Sequence, residues 1–370
     1  MNDTPRFGTA GLADSYTVKK FDPAAIAAYT AGFGLTAFEY QCGRGVRLAH
    51  DKAAALGAAC AERDIALSVH APYYISMSSL EEDKRLHSID YLLQSCALVK
   101  ALGGRRVIFH SGSCGKQSRE EALEKALDTM ARAVKACDKA GFEDCILCPE
   151  TMGKVNQLGT LDEVLALCEV DPRITPCIDF GHLYARSCGV QFADATAVAD
   201  YAALLDTLAA RLGDDRAVHF HAHFSRIAYT KGGEKCHLTF ADTAFGPPHA
   251  PLLALLKERH LAPTIICESA GTQAEGPVPV WGTVQEIAEG RIRLENSNDQ
   301  DPYREIVLVI GPETAILDAV TGAPRLFADL QENETLYAYV GPAMTMSLPP
   351  IASAQVVLCG IPADFGAPTY

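Results

Sequence analysis

The first 270 residues of this chain alternate short apolar runs with longer stretches of helix-forming composition, and this alternation constrains the fold more than any other feature. No strong hairpin signal joins consecutive runs, so the pattern favours a (β/α)8 barrel over an open sheet. The predicted strands are Arg6–Gly8, Thr36–Glu39, Ile65–His70, Arg106–His110, Cys145–Glu150, Thr175–Asp179, Ala217–His221 and Thr264–Glu268. The predicted helices span residues 23–31, 49–63, 80–102, 118–140, 160–169, 194–211 and 249–259.

Several predicted helices carry recognisable terminal signals. Asp22 is predicted to be an N-cap, with Pro23 at the first helical position. Ser118 and Glu121 have the spacing of a capping box. Gly103 stands where a helix should end, because glycine readily adopts the left-handed conformation found there.

The pattern changes after Ser269. A barrel should continue with an eighth helix, but the next ten residues contain too much glycine and proline for one. From about Val278 the chain has β-like runs, separated by turn residues at short intervals. We therefore predict a barrel over residues 1–275 whose closing helix is missing, followed by a small all-β domain over residues 277–370 of unknown function.

Charge and composition limit the classes of function. A formal net charge of −14 argues against a protein that holds nucleic acid through bulk positive charge. It does not exclude phosphate binding through metal ions, whose charge the formal count omits. No run of about 18 apolar residues is present, so no membrane partner is expected. The N-terminus lacks signal-peptide features, so we expect a cytoplasmic protein in which the thirteen scattered cysteines are free, mostly buried thiols.

Metal-ligand residue types end six of the eight predicted strands, and the active site of such a barrel lies at these strand ends. Singly, each could be an ordinary polar residue at a strand end, but chance placement does not account for six at one mouth. Glu39 adds a carboxylate at the end of the second strand. Mixed imidazole and carboxylate ligands suit Zn²⁺ or Mn²⁺ rather than Ca²⁺. The six residues are His70, His110, Glu150, Asp179, His221 and Glu268.

Further candidate ligands follow two of these strands. His182 lies three residues after Asp179, a step that lets the two side chains reach different ions. The alternating run His219–His223 points three histidines to one face, and only part of that set can bind metal directly. Glu234 and His237 lie in the long segment after the seventh strand. Nine ligands exceed the needs of one ion, so we expect a bridging carboxylate and two or three ions.

Six segments at these strand ends resemble, in the same order, the motifs of endonuclease IV, the zinc-dependent apurinic/apyrimidinic endonuclease family. The N-terminal segments Phe7–Gly11 and Glu39–Val46 fit the same family, and the resemblance covers about residues 5–275. It implies a TIM barrel, zinc as cofactor and hydrolysis of DNA 5′ to abasic sites. The six segments are Ser68–Tyr74, Val107–His110, Pro149–Gly153, Cys177–His182, His221–Arg226 and Ile266–Glu268.

The resemblance also implies roles for individual residues. Glu150 would bridge two zinc ions and act as the catalytic carboxylate, and Tyr73 would line the site for damaged DNA. His182 would bind a third ion together with residues of the segment after the seventh strand. The first ion would be bound by His70, His110 and Glu150, and the second by Glu150, Asp179, His221 and Glu268.

One departure from the family pattern concerns the third ion. The family offers Asp-x-His after the seventh strand, whereas this chain offers the four-residue sequence Glu234-Lys-Cys-His237. Either Cys236 or His237 could complete the site.

Two other functions remain open. A metal-dependent sugar isomerase or epimerase on the same barrel needs one ion, held by the equivalents of Glu150, Asp179, His221 and Glu268. His70, His110 and His182 distinguish the two enzymes, because a one-ion isomerase does not need all three as ligands. A non-catalytic scaffold, with binding through the β domain, is the third possibility, and the complete ligand set argues against it.

Overall fold

Parallel strands and surrounding helices make up the N-terminal part of the chain in a computed structural model. The structure describes residues 4–13, 16, 21–43, 45–269, 278–298, 303–344, 349 and 351–362. The contacts divide the chain into two units, Met1–Ala274 and Glu275–Tyr370. The strands of the first unit are β1 (Arg6–Ala10), β2 (Ala37–Gln41), β3 (Ala66–His70), β4 (Arg106–Phe109), β5 (Ile146–Pro149), β6 (Cys177–Asp179), β7 (His221–Phe224), β8 (Arg226–Thr230), β9 (Gly233–Leu238) and β10 (Thr264–Cys267).

Eight of these strands form one parallel sheet in the order β5-β4-β3-β2-β1-β10-β7-β6. Its two outer strands meet, because Glu150 pairs with Cys177 in a parallel bridge and the amide of Thr151 donates to the carbonyl of Cys177 at 3.0 Å. The result is the predicted (β/α)8 barrel, in which all eight strands end at one mouth. Residues brought to that mouth by distant parts of the sequence therefore become neighbours.

Nine α-helices are found among the described residues, two more than predicted. Their bounds are α1 (Pro23–Gly32), α2 (His50–Ala61), α3 (Glu82–Ala101), α4 (Arg119–Lys139), α5 (Leu161–Cys168), α6 (Phe180–Arg186), α7 (Ala197–Leu212), α8 (Asp214–Val218) and α9 (Ala250–Glu258). The additional helices are the short α6 and α8. None of the described helices has the length and apolar character needed to cross a membrane.

The predicted helix signals are confirmed. The Asp22 side chain accepts a hydrogen bond from the amide of Ala25 at 3.1 Å, at the start of α1. Ser118 and Glu121 form a reciprocal capping box at the start of α4. Gly103 has a φ of 74° just after α3, a conformation that glycine adopts without a steric penalty.

The seventh strand is displaced from its predicted position. It was expected over Ala217–His221, but residues 214–218 form α8 and β7 begins at His221. The segment after it is a hairpin of β8 and β9 rather than an irregular loop. These two differences change which histidines reach the mouth of the barrel.

The predicted absence of a closing helix after β10 concerns residues 270–277, which lie outside the described residues, so it stays a prediction. The second unit is all-β, as predicted. Its strands form a closed barrel in the order β11-β12-β13-β15-β14, in which only β13 and β15 pair in parallel. The strands are β11 (Val278–Ala288), β12 (Arg291–Glu295), β13 (Glu305–Asp318), β14 (Thr335–Met344) and β15 (Ile351–Cys359).

Candidate metal centre

A cavity of about 640 Å³ opens at the mouth of the parallel barrel. Imidazoles and carboxylates make up much of its lining, together with the side chains of Gln41, Tyr73 and Lys154. Three groups of possible metal ligands lie in and below this cavity, and the ligand atoms within each group are within 4.8 Å of one another. The groups are His70, His110 and Glu150; Glu150, Asp179, His223 and Glu268; and His182, Glu234 and His237. A fourth possible group, Cys177, His221 and His223, is fully buried and does not line the cavity.

The first group forms where β3, β4 and β5 end. The Nε2 atoms of His70 and His110 lie 3.1 Å and 3.4 Å from Oε2 of Glu150. The Nδ1 atom of His70 is 2.9 Å from the carbonyl of Ala71, which leaves its Nε2 atom facing the cluster. These three residues are the ones predicted for the first ion.

The second group shares Glu150 with the first. The other oxygen of Glu150, Oε1, lies 3.2 Å from Nδ1 of His223 and 3.2 Å from Nδ1 of His182. Nδ1 of His223 is also 3.4 Å from Oε1 of Glu268. The two carboxylate oxygens of Glu150 therefore face different sets of imidazoles, which is the arrangement that a bridging ligand requires.

His223 occupies the place in the second group that the sequence analysis gave to His221. The shift follows from the later start of β7, which puts His221 at its first residue and His223 nearer the mouth. The Nε2 atom of His221 instead lies 3.0 Å from Oε2 of Glu39. The structure thus places His223 in this group, two residues after the predicted His221, which is one repeat of a strand, while His221 lies in a separate possible group with Cys177 and His223.

The third group joins α6 to the β8–β9 hairpin. Nε2 of His182 is 3.4 Å from Oε2 of Glu234, and Oε1 of Glu234 is 4.0 Å from Nε2 of His237. A side chain at Gly153 would collide with this pair, since a Cβ atom there would lie 2.6 Å from Cβ of Glu234 and 2.9 Å from Cδ2 of His182. Cys236, the alternative ligand, is exposed and outside the group.

A β-bulge explains how ligands three residues apart can face one site. On β9, Glu234 pairs with Tyr229 and Cys236 pairs with Ala228, so Lys235 is an extra residue. In a regular strand, residues three apart point to opposite faces, and one extra residue reverses that relation. The four-residue sequence can therefore present the same pair of ligand types as the shorter Asp-x-His.

The two carboxylate oxygens of Asp179 indicate whether the second group fits a cation. Its Oδ1 atom caps α6 by accepting from the amide of His182 at 2.7 Å. Its Oδ2 atom is buried and accepts no hydrogen bond from the described residues. The nearest imidazole nitrogen, Nδ1 of His182, lies 3.2 Å from Oδ2 but faces the carbonyl of Thr151 at 2.9 Å. A buried carboxylate oxygen without a donor is costly, and a divalent cation next to Glu150 and Glu268 would compensate it. The residues present therefore fit a metal ion.

The pKa values within the cluster reflect strong coupling between acids and imidazoles. Burial opposes the charge of Glu150, but the imidazoles around it, His223 first, hold its pKa well below the ordinary value. Burial also opposes the charge of His182, yet the Asp179 and Glu150 carboxylates raise its pKa to about 10. Burial dominates at Asp179 and raises its pKa. The carboxylates depend on neighbouring positive charge, which metal ions provide in place of protons.

Glu39 lies beneath the second group and is fully buried. Its Oε2 atom accepts from Ser68 Oγ at 2.9 Å, and its Oε1 atom accepts from Gln41 Nε2 at 3.1 Å. Oε1 also lies 3.0 Å from Nε2 of His223, an electrostatic approach rather than a directed hydrogen bond. Glu39 thus touches a candidate ligand from the side opposite the cluster.

Tyr73 lies at the rim of the cavity and is 61% exposed. Its ring centroid lies 5.6 Å from that of His110 and 6.0 Å from that of His70. The ring therefore stands beside the first group with an open face, a position from which it can contact a bound substrate. Its role in lining a site for damaged DNA stays a prediction.

Sequence reasoning missed three features of the cavity. His223 was a visible candidate in the alternating run, but only the start of β7 decides between it and His221. Gln41 and Lys154 line the cavity although neither stands in a ligand motif. Lys154 could have been noticed as the basic residue that follows Glu150 by four positions.

A parallel barrel with candidate ligands at the ends of its strands places the chain among the (β/α)8 proteins, which build active sites at this mouth. Residues 27–289 match the family described as xylose isomerase-like TIM barrels. The chain belongs to this family, because the match covers well over half of its residues.

Two relatives in sequence differ in how much of this chain they match. An uncharacterised protein of Methanocaldococcus jannaschii is 32% identical over 266 residues, covering 71% of this chain and 91% of the relative. A probable endonuclease 4 of Mycoplasma pneumoniae is 32% identical over 121 residues, which is 31% of this chain and 41% of that protein. The second likeness is thus confined to part of the barrel.

Two solved structures share the fold. Endonuclease IV from Thermus thermophilus aligns with a TM-score of 0.52 and 21% identity, over 73% of this chain and 95% of that one. D-psicose 3-epimerase from Clostridium cellulolyticum aligns with a TM-score of 0.50 and 13% identity, over 73% and 89%. At these identities the likeness establishes the fold alone, and the function depends on the site.

Proposed function

We propose that this protein is a metal-dependent phosphodiesterase that hydrolyses DNA 5′ to abasic sites, in the manner implied by its resemblance to endonuclease IV. The observation that carries the proposal is the position of Glu150 between two sets of imidazoles. Its Oε2 atom faces His70 and His110, and its Oε1 atom faces His182 and His223. Such a carboxylate suits a site for two or three ions.

The ligands proposed for each ion follow the three groups. The first ion takes His70, His110 and Glu150, and the third takes His182, Glu234 and His237. The second takes Glu150, Asp179, His223 and Glu268. Zinc is the proposed metal and manganese is the alternative, because both accept mixed nitrogen and oxygen ligands.

When bound, such ions supply positive charge that stabilises the transition state at phosphorus and lowers the pKa of a nucleophilic water. The residues of the chain hold that charge in place and keep it partly away from solvent. Glu150 is fully buried among the ligands, and it is the group we assign to accept a proton from the attacking water. Because the candidate ligands lie within a cavity, the abasic sugar has to leave the helical stack to reach them.

DNA contacts are assigned to the rim of the parallel barrel. Tyr73 offers an open aromatic face, and Lys154 is the only lysine or arginine among the residues described as lining the cavity. The C-terminal unit has thirteen acidic and four basic residues over positions 275–370, a charge that repels a phosphate backbone. The proposal therefore gives it no part in gripping DNA.

A sugar isomerase or epimerase is the second candidate. The group of Glu150, Asp179, His223 and Glu268 contains four ligands, enough for a single ion. The structural likeness to D-psicose 3-epimerase supports the same possibility. A one-ion isomerase, however, does not explain why His110 lies in a further group of possible ligands, or why Glu234 and His237 lie in another.

Metal analysis combined with two assays separates the candidates. Purified full-length protein should contain two or three zinc or manganese ions per chain, and it should cut a duplex with a single abasic-site analogue while leaving the intact duplex uncut. One ion per chain, together with interconversion of ketoses and no cleavage, would establish the isomerase instead. Two or three ions without either activity would contradict both assignments.

A further inference from the structure

A second cavity, of about 280 Å³, lies at the end of the parallel barrel opposite the metal centre. Its lining includes the first residues of five barrel strands: Arg6 of β1, Ala66 of β3, Arg106 of β4, Ile146 of β5 and Thr264 of β10. Because the strands are parallel, their first residues lie at the mouth away from the candidate ligands. Arg105 and the apolar side chain of Leu67 also line this cavity.

Arg106 crosses the floor of the barrel. Its guanidinium donates to Oγ1 of Thr264 at 2.8 Å and to the carbonyl of His219. Arg106 is on β4 and Thr264 is on β10, and these two strands are four places apart in the order of the eight-stranded sheet, so the side chain reaches across the barrel. Both acceptors are neutral, and no described carboxylate forms an ion pair with this side chain. Burial lowers the pKa of Arg106, as expected for a cation with little solvent around it.

The other charged side chains that the structure describes near Arg106 do not neutralise its charge. Arg105 donates from Nε to the backbone carbonyl of Asp144 at 2.9 Å, while the Asp144 carboxylate is paired with Lys100 at 2.9 Å. Arg6 is paired with Asp64 at 2.8 Å, so this pair adds no net charge. Among the described residues, two consecutive arginines thus face a cavity that no carboxylate lines, in a chain whose net charge is −14.

An uncompensated, partly buried guanidinium is costly, and a bound anion would offset that cost. The five N–H groups of arginine form a planar fork that matches the oxygens of phosphate and carboxylate. In Arg106 the two acceptors occupy only part of this fork. The volume of the cavity, about 280 Å³, exceeds that of a phosphate group, and the apolar part of its lining would suit a short organic substituent on the phosphate.

We propose that this cavity is a binding site for a small oxyanion, a phosphate or phosphate monoester, held by Arg105 and Arg106. The site is separate from the metal centre and does not depend on the proposed phosphodiesterase activity. A carboxylate has related chemistry, and the probes below distinguish the two sources.

The test uses the full chain in two forms, loaded with metal and treated with chelator, because phosphate also binds to metal centres. Isothermal titration with inorganic phosphate should show one site that survives chelation. The exposed side chain of Arg105 makes Arg105→Gln the safest variant, and it should weaken that site about tenfold or more, the loss of one charge-assisted contact. Arg106→Gln should weaken it further. Arg63→Gln, at an arginine outside the cavity, is the matched control and should change nothing.

Acetate and sulfate, titrated in the same way, identify the preferred oxyanion. Weaker binding of acetate than of phosphate supports the phosphate assignment, and the reverse order overturns it in favour of a carboxylate ligand. Loss of all phosphate binding on chelation would overturn the proposal, because the anion would then belong to the metal centre. Unchanged affinity in both Arg105→Gln and Arg106→Gln would overturn it as well.

Discussion

The imidazole of His223 lies between two fully buried carboxylates: Nε2 is 3.0 Å from Oε1 of Glu39, and Nδ1 is 3.2 Å from Oε1 of Glu150. Glu39 therefore lies against the edge of the ring that faces away from the cluster. Histidine ligands commonly have a carboxylate or carbonyl on the nitrogen that does not bind the metal, and this partner orients the ring. Glu39 has the position of such a partner.

Replacing Glu39 by glutamine should weaken the second metal site without removing a ligand. The substitution keeps the volume and removes the charge beside His223, so we expect metal affinity to fall about 10- to 100-fold, the usual effect of losing an orienting partner. Competition with a chelator measures this. Ser68→Ala, which removes a single neutral donor to Glu39, is the control and should have a much smaller effect. Equal losses in both variants would argue against an orienting role.

Glu150 should be the least replaceable ligand, because each of its oxygens faces a different set of imidazoles. Glu150→Gln is expected to reduce cleavage of an abasic-site duplex to below about one hundredth of wild type, a loss of about 2.7 kcal/mol of transition-state stabilisation. Circular dichroism should show that the fold survives. Glu62→Gln, at an exposed position, serves as control. Activity above one hundredth in Glu150→Gln would contradict the bridging role.

The structure also predicts different roles for two neighbouring histidines. His223→Asn should remove one ion per chain, because the second group loses its imidazole. His221→Asn should keep all the ions, with affinity reduced by about tenfold at most, since His221 acts through Glu39. Metal content by mass spectrometry of both variants tests this. Retention of every ion in His223→Asn would return the assignment to His221.

The sequence predicted most of the fold, because most barrel strands and the longer helices had local signals; the short helices α6 and α8 and the β8–β9 hairpin did not. The alternation of apolar runs and helices identified the barrel, and the caps at Asp22 and Ser118 placed two helix starts. The strand ends then brought His70, His110 and Glu150 together without any knowledge of contacts. Parallel strands make this possible, since residues at the same end of each strand share one mouth.

The register of β7 could not be predicted in the same way. His221 and His223 have the same chemistry and the same face, so the choice between them depends on where α8 ends. The bulge at Lys235 had no sequence signature either, because it is defined by pairing with β8. The unpaired charge of Arg106 was invisible for the same reason: its neighbours, Thr264 and His219, are far away in the sequence.

Tyr73 should contribute to substrate binding and not to metal binding. Tyr73→Ala is expected to raise KM for the abasic duplex about tenfold, since stacking on an aromatic side chain is worth about 1–3 kcal/mol per base. The value of kcat and the metal content should stay close to wild type. Tyr74→Ala is a close control, because Tyr74 is also exposed but does not line the cavity. Similar effects of both substitutions would point to general surface contacts, and Tyr73→Phe should restore wild-type KM.

The hairpin after β7 allows a last test of the third ion. His237 and Glu234 face His182 because of the bulge, whereas Cys236 is exposed. His237→Ala should therefore lower the occupancy of one ion only and leave the other sites filled, since a site reduced from three protein ligands to two binds metal weakly. Cys236→Ala should change neither metal content nor activity. Deleting Lys235 should keep the third ion, because the resulting Glu-Cys-His sequence places the two ligands two residues apart, on the same face of a regular strand, as in Asp-x-His. Loss of an ion in Cys236→Ala, with none lost in His237→Ala, would show that the hairpin presents its thiol to the metal instead.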